Sequence, residues 1–303
     1  MRAERNGLPA RSAPSRRVRS ICARTGRCAV IIAPIVLTAC QPAVLDPRGI
    51  IGIAEKTILI DSVGIMLAIV GPTIVAIFAF AFWFRASNTR AFHWPDWEYS
   101  GRIELVVWSI PALTVGFLGG IAWIGAHDLD PRVPVKSDVP AINVQVVALD
   151  WKWLFIYPDQ QVASVNRLVV PAGAPLSFRL TSATVMNSFF VPQLGSQIYT
   201  MAGMATELNL RADSPGTFAG LSAQFSGDGF SDMRFEVSAV SPEAFAQWVD
   251  ETHAHGGSLD LEQYADLAMP SSQEPPRAFG AVSAGLFDAI IATPGAPPRA
   301  LAP

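Results

Sequence analysis

The side chains able to bind a soft transition metal are few, and they lie in the wrong places for one shared site. The three cysteines are Cys22, Cys28 and Cys40, and the four histidines are His93, His127, His253 and His255. None falls between residues 140 and 240, the stretch whose pattern is β-rich. An electron-transferring copper site is built from thiolate and imidazole ligands, so this region has no donor set for one. A second candidate is Glu104, a carboxylate at the start of a long apolar run. Ionisable groups at membrane spans are candidates for proton or ion handling; an ordinary interfacial charge is the simpler alternative. A third is the aromatic run Trp151, Trp153, Phe155 and Tyr157, whose spacing of two places the four rings on one strand face, with Asp150 and Lys152 opposite. Packing or docking suits that face better than electron transfer.

These residues must be positioned by a chain of 303 residues that is 50% hydrophobic and 16% charged, well below the charge content of a soluble domain. The composition points to the membrane, and a net charge of -3 argues against nucleic-acid binding. Residues 1–39 read as a signal peptide. Arginines 2, 5, 11, 16, 17, 19, 24 and 27 precede an apolar run from Ala29 to Ala39, too short to span a bilayer but suited to a signal sequence. The ending Leu37-Thr38-Ala39-Cys40 resembles a bacterial lipobox, which makes Cys40 the expected lipid attachment site, at the head of a lipidated segment 40–62. An ordinary signal peptide with an incidental cysteine is the alternative. After cleavage Cys40 would be the single cysteine, so no internal disulfide could form.

Two spans without a charged residue follow, 63–84 and 105–126, each long enough to cross a membrane as a helix. Pro72 and Pro111 are tolerable within such helices. Trp83, Trp108 and Trp123 sit near span ends, as interfacial aromatics do. The loop between the spans carries charges of both signs and orients the hairpin weakly; the lipobox orients it, with Cys40, the N-terminus and everything after residue 127 outside. Beyond a linker at 127–140, alternating segments at 141–149, 175–180, 207–210 and 233–240, punctuated by glycine and proline, predict a β-sandwich over 141–240. Ser241 followed by Pro242 marks a helix start and opens a helical extension, 241–290, with a second short helix around 259–267. Residues 291–303, rich in alanine and proline, read as a disordered tail.

Several motifs resemble one family. Asp150-Trp-Lys-Trp-Leu-Phe-Ile-Tyr157 is similar to the aromatic stretch of subunit II of the haem-copper oxidases. Glu104-Leu-Val-Val-Trp-Ser-Ile-Pro111 resembles the signature that opens that family's second helix, and Val185 to Gly195 resembles the loop bearing its first copper-ligand histidine. The resemblance implies a two-helix transmembrane hairpin followed by an all-β cupredoxin-like sandwich with a short helical C-terminal extension. Carried over by position, it also implies that the dinuclear copper centre is lost. Asn187 and Phe230 stand at the histidine positions, Ser222 and Ser226 at the bridging cysteines, and Gln224 at a glutamate. Met233 alone is kept, and a lone methionine beside a strand is more often packing than a ligand.

Loss of these ligands with the scaffold kept is the pattern of quinol-oxidising members, and the tail motifs Phe245–Trp248 and Gly285–Ile290 further resemble the bo-type ubiquinol oxidase subunit II. The implied function is a subunit of a proton-pumping quinol:oxygen oxidase in the bacterial inner membrane, with its sandwich in the periplasm. No cofactor is expected on this chain; haems and copper are expected in the partner large subunit, subunit I, beside smaller membrane subunits, with ubiquinol as the substrate of the complex. In the family the glutamate at the position of Glu104 stands at a proton-pathway mouth. A menaquinol-oxidising relative is the near alternative. A free-standing membrane lipoprotein with a cupredoxin-like binding domain is the alternative of another class, disfavoured because one lipid anchor would make two spans unnecessary.

Overall fold

The computed structural model describes residues 43–92 and 94–296. The expected signal peptide and Cys40 lie outside the described residues. Two helices come first, α1 (Ile50–Trp83) and α2 (Gly101–Asp128). Both exceed their expected spans, because turns of polar and charged residues continue the helix beyond the apolar limits. Residues 50–62, assigned from sequence to an N-terminal segment, are the first turns of α1, and the linker begins after Asp128 rather than at 127. The 34 residues of α1 reach about 51 Å, against about 30 Å of hydrocarbon. Its half-buried residues Ile58, Ser62, Ile65 and Ile69 form a seam with Thr114, Leu118, Ile121 and Gly125 of α2, and the Ile58 side chain sits directly against Gly125. The remaining faces expose large apolar side chains such as Leu67, Phe78, Trp108 and Phe117, as a surface meeting lipid or an apolar partner does.

The rest of the chain forms strands β1 (Ile142–Leu149), β2 (Lys152–Tyr157), β3 (Val162–Val165), β4 (Arg167–Pro171), β5 (Pro175–Ser182), β6 (Asn187–Phe190), β7 (Ile198–Thr200), β8 (Thr206–Arg211), β9 (Gly216–Ser222) and β10 (Arg234–Val240). Helix α3 (Pro242–His255), strand β11 (Gly257–Leu259), helix α4 (Leu261–Leu267), strand β12 (Arg277–Val282) and helix α5 (Leu286–Ala292) follow. One sheet has the order β11-β12-β3-β2-β1-β5-β8 and the other β4-β10-β9-β6-β7. The main core, with Trp153, Phe155, Phe178, Phe189 and Phe235, lies between them. Phe189 stacks on Phe235 at 5.0 Å and meets Trp153 edge-on at 5.4 Å, geometries that aromatic quadrupoles favour.

The C-terminal extension is helical as expected, and it also supplies two strands to the larger sheet. A second core, including Leu154, Ile156, Tyr264 and Phe287, lies where α4 and α5 cover that sheet's other face. Strand β2 is therefore buried at every position, including Lys152, whose Nζ donates to Met269 O at 2.8 Å and to Ser271 Oγ at 2.5 Å. Ser241 caps α3 by accepting from Ala244 N. Ile291 and Ala292, placed in the tail from sequence, belong to α5, and Gly295 N donates to Ala183 O at 2.7 Å.

The hairpin is tied to the sandwich at the start of α1. Arg48 N and Gly52 N donate to Gln193 O and Leu194 O, and Ser196 Oγ donates to the Glu55 carboxylate. A Cβ at Gly49 would lie 2.2 Å from Arg211 O, so only glycine allows this approach. After α2, Pro131 O accepts from Asn209 N. Both membrane helices thus meet the sandwich along β8.

Candidate functional site

Three loops and strand ends converge where the copper ligands of the resembling family would lie. Asn187 opens β6, Ser222 closes β9, and residues 223–233 loop back to β10 through the 3-10 turn Phe230–Asp232. Cross-strand pairing of β6 with β9 and of β9 with β10 brings Asn187, Ser222 and Met233 together, with exposures of 1%, 3% and 1%. Ser222 Oγ donates to Asn187 Oδ1 at 3.0 Å, and Asn187 Nδ2 donates to Val185 O at 3.2 Å. Ser226 Oγ lies 3.9 Å from Met233 Sδ. The loop rests on Trp151, whose Nε1 donates to Ser226 O at 3.1 Å; a Cβ at Gly229 would strike the indole at 2.5 Å. Phe230 contributes a phenyl ring against Phe225 at 5.6 Å. Gln224 is half-buried in the same loop, its backbone O 3.2 Å from Ser222 Oγ.

The tertiary structure therefore joins Asn187 with Ser222 and sets Ser226 beside Met233, with Gln224 and Phe230 on the connecting loop, so the six positions expected from sequence carry two amides, two hydroxyls, a phenyl and a thioether. This set does not fit a dinuclear copper centre, which needs thiolates and imidazoles. Asn187 and Ser222 instead satisfy each other, as buried polar groups must. Among the described residues no group of three or more His, Cys, Asp or Glu could hold a metal ion.

Of the four rings expected on one face, Trp153, Phe155 and Tyr157 are in the main core. Trp151 is not on the strand: it occupies the β1–β2 turn with a left-handed φ of 67°, which rotates its ring under the degenerate loop. Thr200 escaped sequence reasoning. It pairs in register with Asn187, is fully buried, and its Oγ1 has no hydrogen-bond partner among the described residues. No sequence signal foretells that pairing.

Glu104 occupies the first turn of α2 and is solvent-exposed, its N–H donating to Ser100 O at 3.0 Å. A carboxylate there is favoured by the unpaired amides of the helix start. It lies at the opposite end of α2 from the sandwich, about 36 Å along the axis from Asp128. The two candidate sites are thus separate.

A two-helix hairpin docked on a two-sheet sandwich is the architecture that the resembling family implies. Residues 158–240 match the cytochrome c oxidase subunit II periplasmic domain, and residues 253–293 match the COX aromatic rich motif. The cytochrome bo(3) ubiquinol oxidase subunit 2 of Pseudomonas aeruginosa is 47% identical over 85% of this chain and 78% of its own. The ubiquinol oxidase subunit 2 of Acetobacter aceti is 44% identical over 90% and 89%. The quinol oxidase subunit 2 of Bacillus cereus is 32% identical over 75% and 79%. The chain belongs to the haem-copper oxidase subunit II family, in its bo-type branch.

Proposed function

We propose that this chain is subunit II of a proton-pumping ubiquinol:oxygen oxidase of the bacterial inner membrane and carries no redox centre of its own. The observation that carries the reading is the buried Asn187–Ser222 hydrogen bond at the copper position. A site closed by its own side chains has no call for a metal, and electrons from quinol then reach the haems and copper of the membrane partner without crossing this sandwich. The names of the relatives support ubiquinol as the donor.

The chain's own contribution is structural at one end and protonic at the other. The hairpin lays apolar faces against subunit I and smaller membrane subunits, with the sandwich on the periplasmic side. At the other membrane surface Glu104, exposed and held by the α2 start, takes up protons from water and passes them toward the partner. The test is oxygen uptake by the complex co-purified with the tagged chain. Fast oxidation of ubiquinol with none of reduced cytochrome c is expected. Activity with cytochrome c, or purification without any haem-bearing partner, would overturn the reading.

A further inference from the structure

The β1–β2 turn, Asp150-Trp151-Lys152, ties together three segments that are distant in sequence. Asp150 Oδ1 accepts from Thr184 Oγ1 at 2.5 Å, in the loop that leads to Asn187. Trp151 carries residues 226–229, through its bond to Ser226 O and through Gly227 and Gly229, which lie against the indole. Lys152 reaches into the connection between α4 and β12. That connection holds the turn at several points. Lys152 is 2% exposed, and a buried ammonium must find acceptors; among the described residues they are Met269 O and Ser271 Oγ. Ser271 N donates to Asp150 O at 3.4 Å, and Ser271 Oγ donates to Glu274 Oε2 at 2.9 Å. Glu274 O accepts from Asn166 Nδ2 at 2.8 Å, which fixes the connection to the sheet. Gln273 Nε2 donates to Asp232 Oδ2 at 3.3 Å, and Asp232 belongs to the 3-10 turn of the degenerate loop.

Both degenerate loops depend on this turn. A metal bound by the two would join and order them; in this chain their direct link is the Asn187–Ser222 bond. Within residues 223–233, Phe230 N donates to Gly227 O, Asp232 N to Gly229 O and Met233 N to Phe230 O. Those bonds shape the loop without placing it. Its placement comes from outside, through the indole of Trp151 and the amide of Gln273.

We propose that residues 269–274 are a strap built into the fold. They fix the β1–β2 turn through Lys152, and the turn then holds both degenerate loops, supplying from outside the cross-link that a shared metal would supply from within. The test is hydrogen–deuterium exchange of the full chain in detergent, read by mass spectrometry. Lys152→Met keeps most of the side-chain length and removes its charge and its donors. Amides of residues 184–187 and 226–233 should then exchange about tenfold faster or more, the scale of a lost charge-assisted hydrogen bond. Amides of β8, three strands from β2 in the same sheet, should keep their wild-type rates. Ser271→Ala leaves Met269 O to the ammonium and should speed the same loop amides about threefold.

Faster exchange confined to residues 269–274, with both loops at wild-type rates, would overturn the inference, because the strap would then hold only itself. Equal acceleration of β8 would overturn it too, since Lys152 would then support the whole sandwich rather than the loops. Should Lys152→Met not fold, Ser271→Ala decides by the same two comparisons.

Discussion

Replacing Ser222 by alanine removes the hydroxyl that donates to Asn187 Oδ1 and that lies 3.2 Å from Gln224 O. The hydrogen bond spans 3.0 Å, and the two residues are 3% and 1% exposed, so water cannot take over without opening the sandwich. An acceptor left buried and unpaired costs about 1–3 kcal/mol, and S222A should lower the stability of the sandwich by that amount. The double variant N187L/S222A replaces both partners by apolar groups of similar shape. Val185 O, which loses the Asn187 amide, keeps the Ser182 hydroxyl at 2.5 Å. The double variant should therefore lie within about 1 kcal/mol of the wild type, giving a coupling of about 1 kcal/mol or more. Urea unfolding of the detergent-solubilised chain, followed by near-ultraviolet circular dichroism, measures all the variants. On the proposed function, ubiquinol turnover of the assembled complex should not change in any of them, because electrons would bypass the site. Losses that simply add, or an S222A variant as stable as the wild type, would refute the reading of a closed polar pair in the copper position.

Glu104→Ala should slow haem reduction and oxygen turnover while the complex still assembles, measured by stopped-flow absorbance and haem content; unchanged turnover would remove its proton-entry role. Combining Asn187→His, Phe230→His, Ser222→Cys and Ser226→Cys should let the chain bind copper, seen as thiolate-to-copper absorbance; a folded variant that binds none would mean the loop positions are misassigned. Burial pushes the phenols of Tyr157 and Tyr264 above their ordinary value of 10.0. Folded tyrosine then keeps its proton where the unfolded chain loses it, so the stability from both is complete below pH 10 and falls as pH rises above it. The slope approaches about 1.4 kcal/mol per pH unit for each ring, and Tyr264→Phe should halve it in urea titrations at alkaline pH.

The sequence by itself determined the absence of a copper donor set, since no fold can supply thiolate and imidazole that residues 140–240 do not contain. It also determined the two membrane helices, because an uncharged run of this length has one stable form in a bilayer, and the strands whose alternation marks a single buried face. Its resemblance to a known family supplied Glu104 and the six degenerate positions. Tertiary structure decided the rest. Strand β2 is apolar at every position from 153 to 157, which marks burial on both faces, but only the fold shows that helices from more than 100 residues later cover its second face and enclose Lys152 as well. The extension's two strands, β11 and β12, are short and borrow their pairing from β3 and from each other, so local pattern could not announce them. Trp151 left its expected face because a turn in the left-handed region rotated it. The Asn187–Ser222 contact and the Thr200 pairing depend on strand register across 35 and 13 residues, and register is set by the whole core.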